Sequence, residues 1–140
     1  MAKPALPTLI RLAAQAVEYV QQQLAANQAA QQAKQAEIAT WRQEISAAFA
    51  AALTHNSAGD LQAAGLFQSR GQSEIARAEE AIQQLKFAQQ GLLQQLQAAY
   101  TKQKRYELLA EQQAAAARQA ANRKAQAQLD DLRRPKRSTP

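Results

Sequence analysis

From Thr8 onward, apolar residues return every three and four positions, the spacing that puts them along one face of a helix. With Ile10 as heptad position a, the a series reads Ile10, Val17, Leu24, Gln31, Ile38, Ile45 and Ala52. The d series reads Ala13, Val20, Asn27, Lys34, Trp41 and Ala48. Five of these seven a residues are aliphatic, as expected of a coiled-coil seam. The middle of the seam is polar at Asn27, Gln31 and Lys34, a composition that costs stability and restricts register. A second stretch keeps the same period, with Leu61, Gln68, Ile75, Ile82, Gln89, Leu96, Gln103, Ala110 and Ala117 at a. Its d series runs through Ala64, Gly71, Ala78, Leu85, Leu92, Ala99, Tyr106 and Ala120. Most of its apolar weight lies between Ile75 and Leu96. Gly65 and Gly71 each cost about 1 kcal/mol relative to alanine inside a helix, so the first turns of this stretch are expected to be irregular or bent.

Between the two stretches lies Thr54-His55-Asn56-Ser57-Ala58-Gly59-Asp60. Ser57 and Asp60 have the Ser-x-x-Asp spacing of a capping box, in which the hydroxyl accepts from a free amide of the first turn and the carboxylate complements the helix dipole. Asp60 as the N-cap itself is the alternative. Either way one helix ends and another begins. The expected fold is all-α, a long antiparallel two-helix coiled coil, or helical hairpin, whose second helix is longer than the first. Its parts are a flexible tail at 1–7, a first helix at 8–53, a turn at 54–60, a second helix at 61–134 and a disordered basic tail at 135–140. Pro4 and Pro7 set the start, since proline fits a first helical turn, and Pro135 sets the end. A helix over 8–53 is about 69 Å long and would lie against roughly residues 62–107. The last part of the second helix, about 25 residues, is then unpaired and free for another protein to dock.

Composition supports a thin structure. The 140 residues are 46% hydrophobic, but much of that is alanine, which removes little surface from water. Alanine, glutamine and the charged residues are good helix formers. With no cysteine and one histidine, disulfides and thiolate or paired-histidine zinc sites are excluded. His55 reads as a solvated turn residue. The N-terminus resembles a signal peptide only faintly, because Pro4, Pro7 and Arg11 interrupt it, and no apolar run reaches the ~20 residues that span a bilayer. A cytoplasmic protein with no direct membrane insertion is expected.

The net charge of +6 is unevenly spread. Residues 1–24 with 100–140 carry 12 Lys/Arg against 5 Asp/Glu, and residues 25–99 carry 5 against 6. In a hairpin the first set meets at the open end, which is therefore basic and suited to an acidic protein surface, nucleic acid or anionic lipid. Lys102, Lys104, Arg105, Arg118, Arg123 and Lys124 form the basic stretch of the second helix. Phosphate contacts alone could hold nucleic acid, but the cations are spread around the helix and only Tyr100 and Tyr106 could stack on bases. Nucleic-acid binding is the weaker alternative. Trp41 is a seam residue whose large ring an alanine-rich seam cannot fully cover, and Ile38, Ile45 and Phe49 continue the apolar side. No phosphate-binding glycine loop, nucleophile elbow or His/Asp pair occurs. Glu79-Glu80 and Asp130-Asp131 are adjacent on a helix and point apart. No enzyme, small-molecule substrate, cofactor or metal is expected.

The opening Ala5-Leu6-Pro7-Thr8-Leu9-Ile10-Arg11-Leu12-Ala13, with Val17 and Leu24, resembles the first helix of the coiled-coil protein of the flagellar type III export apparatus, the FliJ family. Ile38-Ala39-Thr40-Trp41-Arg42-Gln43-Glu44-Ile45 is similar to that family's segment before the turn, and Lys102-Gln103-Lys104-Arg105-Tyr106-Glu107 to its basic stretch. Asn122-Arg123, Gln126 and Leu129-Asp130-Asp131-Leu132 resemble its C-terminal signature. The resemblance implies a non-enzymatic stalk that inserts its open end into the export ATPase hexamer. It also implies contact with the cytoplasmic domain of the export gate membrane protein nearer the turn, and escort of export chaperones. On that reading Arg11, Lys102, Lys104, Arg105, Arg118 and Arg123 face the ATPase, and Ile38, Trp41, Ile45, Ile75, Ala78 and Ile82 face the gate. The protein would sit peripherally at the cytoplasmic face of the inner membrane, held there by the export apparatus. The equivalent stalk of a virulence type III secretion system shares this fold and mechanism, and the opening motif argues for the flagellar version.

Overall fold

The computed structural model describes residues 5–134. Residues 1–4 of the expected N-terminal tail and all of the expected tail 135–140 lie outside the described residues. Two helices account for nearly everything described: α1 over Leu6–His55 and α2 over Ala58–Arg133, with no strand among the described residues. They pack against each other as a hairpin, and α2 is the longer. The antiparallel sense is visible in the cross-pairs, as Gln31 meets Gln89, Arg42 meets Glu79 and His55 meets Asp60.

Each helix end has a local cause. The amides of Thr8 and Leu9 both donate to the Ala5 carbonyl, at 3.0 and 3.2 Å. Pro7, in this first turn, lacks only an N–H that would have had no partner, so the helix starts two residues before Thr8. At the other end, Asn56 takes a left-handed conformation with φ 50°, which asparagine tolerates better than most residues. Its amide donates to the carbonyls of Ala52 at 3.1 Å and Leu53 at 3.3 Å, closing α1. Ser57 then caps α2, its Oγ accepting from the Asp60 amide at 3.3 Å. Ser57 and not Asp60 is therefore the N-cap, and only Asn56 and Ser57 separate the helices.

The chain divides into two compact units: residues 1–16 with 98–140, and residues 17–97. In the second unit, Ile38, Ile45, Ile75, Ala78 and Ile82 form a buried cluster, with Trp41, Phe49 and Phe67 packed on it. Every a and d position of α1 from Ile10 to Ala52 is at least partly covered. The register of α2 differs in its opening turns, where Leu61 and Gln68 are exposed and Phe67 is partly covered. Phe67 supplants Gln68 because its ring can pack on Trp41, with centroids 5.7 Å apart and planes inclined at 43°, while the glutamine amide gains more from water. The helix runs unbroken through Gly65 and Gly71, contrary to the irregular turns expected. Gly71 has a packing reason: a Cβ there would come within 2.6 Å of Ile45 Cδ1 and 3.2 Å of Trp41 Cε3.

Candidate functional site

Among the described residues no helix is long and apolar enough to cross a membrane, and no group of His, Asp or Glu could hold a metal ion. The surfaces that remain are charged and apolar patches, and they differ between the units.

Arg11, Lys102, Lys104, Arg105, Arg118 and Arg123 are all exposed, and all belong to the unit of residues 1–16 and 98–140. By sequence that unit carries 12 Lys/Arg against 4 Asp/Glu, a net +8, and the other 5 against 7, a net −2. The ion pairs within the described residues fall in the second unit: Lys34–Glu37 at 3.3 Å, Arg42–Glu79 at 3.6 Å and Arg77–Glu74 at 3.4 Å, with His55 Nδ1 also 3.7 Å from Asp60 Oδ2. None of the six basic residues belongs to a pair of that kind. Two shallow grooves adjoin them. Lys102 and Tyr106 line one together with Leu9, Leu12, Ala13 and Ala16, and Lys104 lines another with Glu107, Leu108 and Glu111. Leu12 and Leu108 are half exposed, so apolar surface lies among the charges. Beyond Ala115 every described residue of α2 is exposed.

The other six candidates lie in the unit of residues 17–97. Ile38, Ile45, Ile75, Ala78 and Ile82 face one another across the seam and are 8% exposed or less. Only Trp41 of the six keeps appreciable surface. The sequence pattern that singled out these residues was the apolar seam itself, which is the reason they are covered. Phe67, which the heptad count passed over, shares the Trp41 surface. Near the turn, Leu53, Leu61 and Leu66 are large apolar side chains open to solvent, 67%, 38% and 69% exposed. Phe87, 79% exposed, is a further one that periodicity gave no reason to notice. A groove beside the turn is lined mostly by alanines from both helices, with Phe67, His55 and Asp60.

Neither the curated proteins nor the solved structures contain a match to this chain. Against known families, residues 2–136 match the one described as Flagellar FliJ protein. That span takes in both helices and the turn between them, so the chain belongs to the flagellar FliJ protein family and has a role associated with flagellar export.

Proposed function

We propose that the chain is a non-enzymatic stalk and adaptor. Its basic unit binds the hexameric export ATPase, and the unit holding the isoleucine cluster meets the cytoplasmic domain of the membrane-embedded export gate. The observation that carries this reading is the set of six exposed cations, Arg11, Lys102, Lys104, Arg105, Arg118 and Arg123, in a unit of net charge +8. Exposed cations without carboxylate partners raise encounter rates with an acidic surface and lose little on docking, since no ion pair must first be broken. The gate contact is assigned to the segment built on Ile38, Trp41, Ile45, Ile75, Ala78 and Ile82. Five of these act by holding the helices together, and Trp41 is the member able to touch a partner while the seam stays closed. Escort of export chaperones fits the exposed length of α2 beyond Ala115, and peripheral placement at the inner membrane follows from the gate contact.

The test is ATP hydrolysis by the export ATPase with and without this protein, together with co-elution at moderate salt. Stimulation with co-elution is expected. Lys104→Glu with Arg105→Glu should weaken ATPase binding by about tenfold or more and leave gate binding nearly unchanged. Equal loss of both would sink the division of labour.

A further inference from the structure

The seam of the unit 17–97 contains a polar layer that apolar packing alone does not require. Asn27 is 8% exposed and donates Nδ2 to the Leu85 carbonyl at 2.9 Å. Its Oδ1 accepts from Gln31 Nε2 at 2.7 Å, and the same Nε2 donates to Gln89 Oε1 at 3.0 Å. An amide nitrogen carries two hydrogens, so both bonds form together. No buried side-chain nitrogen or oxygen among the described residues lacks a partner.

Around this layer the a positions of one helix face the d positions of the other. Ile45 lies over Gly71, and seven-residue steps from that pair set Ile38 opposite Ala78 and Gln31 opposite Leu85, while the same register sets Asn27 opposite Gln89, within reach of Gln31 one turn on. Sliding α1 by one heptad sets Asn27 against Ile82 or Leu96. Either slip strands its amide among apolar groups, and a covered amide without a partner is penalised. The turn provides a weaker constraint. Leu53 and Leu61 beside it are 67% and 38% exposed, and the covered residues there, Ala52 and Ala64, are small, so unwinding at the turn exposes little apolar area.

We infer that Asn27, Gln31 and Gln89 are positioning residues that fix the axial register of α1 on α2. One heptad of slip moves facing residues by about 10 Å, enough to carry Leu9 and Leu12 away from Lys102 and Tyr106, with which they share a groove. The consequence for ATPase binding rests on the function proposed above; the register does not.

The experiment uses the full chain, which has no native cysteine. Arg42→Cys with Glu79→Cys replaces a cross-helix ion pair, and Arg42→Cys with Gln72→Cys or Lys86→Cys samples one heptad to either side at exposed positions. A short bis-maleimide should link 42 to 79 and leave 72 and 86 unlinked. Adding N27L, Q31L and Q89L should raise the thermal midpoint followed by circular dichroism and spread the cross-links to 72 or 86. Cross-linking confined to 79 in the triple variant, or a triple variant less stable than its parent, would overturn the inference. The cross-link pattern is read without the ATPase, so it stands or falls separately from the ATPase reading.

Discussion

The two units are built from the same two helices and spend their residues differently. Residues 17–97 hold the isoleucine cluster, the Trp41–Phe67 pair, the polar layer and the ion pairs of the described chain. The unit of residues 1–16 and 98–140 has a thinner seam of Ile10, Ala13, Ala99, Gln103, Tyr106 and Ala110, and it displays cations and half-exposed leucines. Groups that satisfy one another inside a chain are poorly placed to satisfy a partner. The contrast therefore separates residues that maintain the fold from residues available for contact, and it predicts that substitutions in the two units fail in different assays.

The largest effect is expected from Ile82→Ala. This side chain is 7% exposed within the buried cluster. Truncation of a buried isoleucine costs about 2–5 kcal/mol, and a two-helix seam that can partly collapse favours the lower half of that range. Urea unfolding followed by circular dichroism measures it. Lys104→Glu with Arg105→Glu, at exposed positions, should move the same midpoint by no more than about 0.5 kcal/mol. A large stability loss from the charge reversals would erase the contrast.

A glycine pair sharpens it on a finer scale. Gly71→Ala places a Cβ 2.6 Å from Ile45 Cδ1 and 3.2 Å from Trp41 Cε3. Overpacking costs about 1–3 kcal/mol, against roughly 1 kcal/mol returned by helix propensity, so a net loss near 1 kcal/mol is expected. Gly65→Ala meets nothing within 4 Å and should stabilise by about 0.5–1 kcal/mol. The same substitution thus changes sign six residues along one helix, and thermal unfolding of the two variants is the check.

Much of this was legible beforehand because the heptad pattern depends only on which side chains avoid water. It put Val17, Val20, Ile38, Ile45, Ile75 and Ile82 in the seam, where they are buried, and it marked Asn27 and Gln31 as polar seam residues. Strict seven-residue counting failed at Gln68, because the choice between it and Phe67 turns on a ring across the seam. Gly71 misled for a related reason: helix propensity is a local cost, while close approach to Ile45 and Trp41 is a tertiary gain. Asn56 passed unnoticed because a single left-handed residue leaves no periodic trace. The gate-side residues illustrate a deeper limit. The apolar pattern that finds a buried seam is the same one that would find an exposed partner surface, and only the second helix lying against the first tells them apart. Charge escapes that ambiguity, since the cations had no apolar alternative to being exposed.

The smallest of these effects, and the one that tests how far the turn organises the molecule, is Ser57→Ala. An N-cap serine replaced by alanine costs about 0.5–2 kcal/mol. Here the Ser57 Oγ to Asp60 amide distance of 3.3 Å is long, and the Asp60 carboxylate lies 3.7 Å from His55 Nδ1. Ser57 is the cap, and its one bond is near the limit of useful length. The expected cost is therefore at the low end, about 0.5 kcal/mol, with Ser57→Asp restoring it because aspartate caps as well as serine does. Urea unfolding of the two variants measures both. A cost approaching that of Ile82→Ala would make the two-residue turn the chief organiser of the helix pair. It would also undercut the polar layer as the source of register, since a turn that strong would hold the helices in place without Asn27, Gln31 and Gln89.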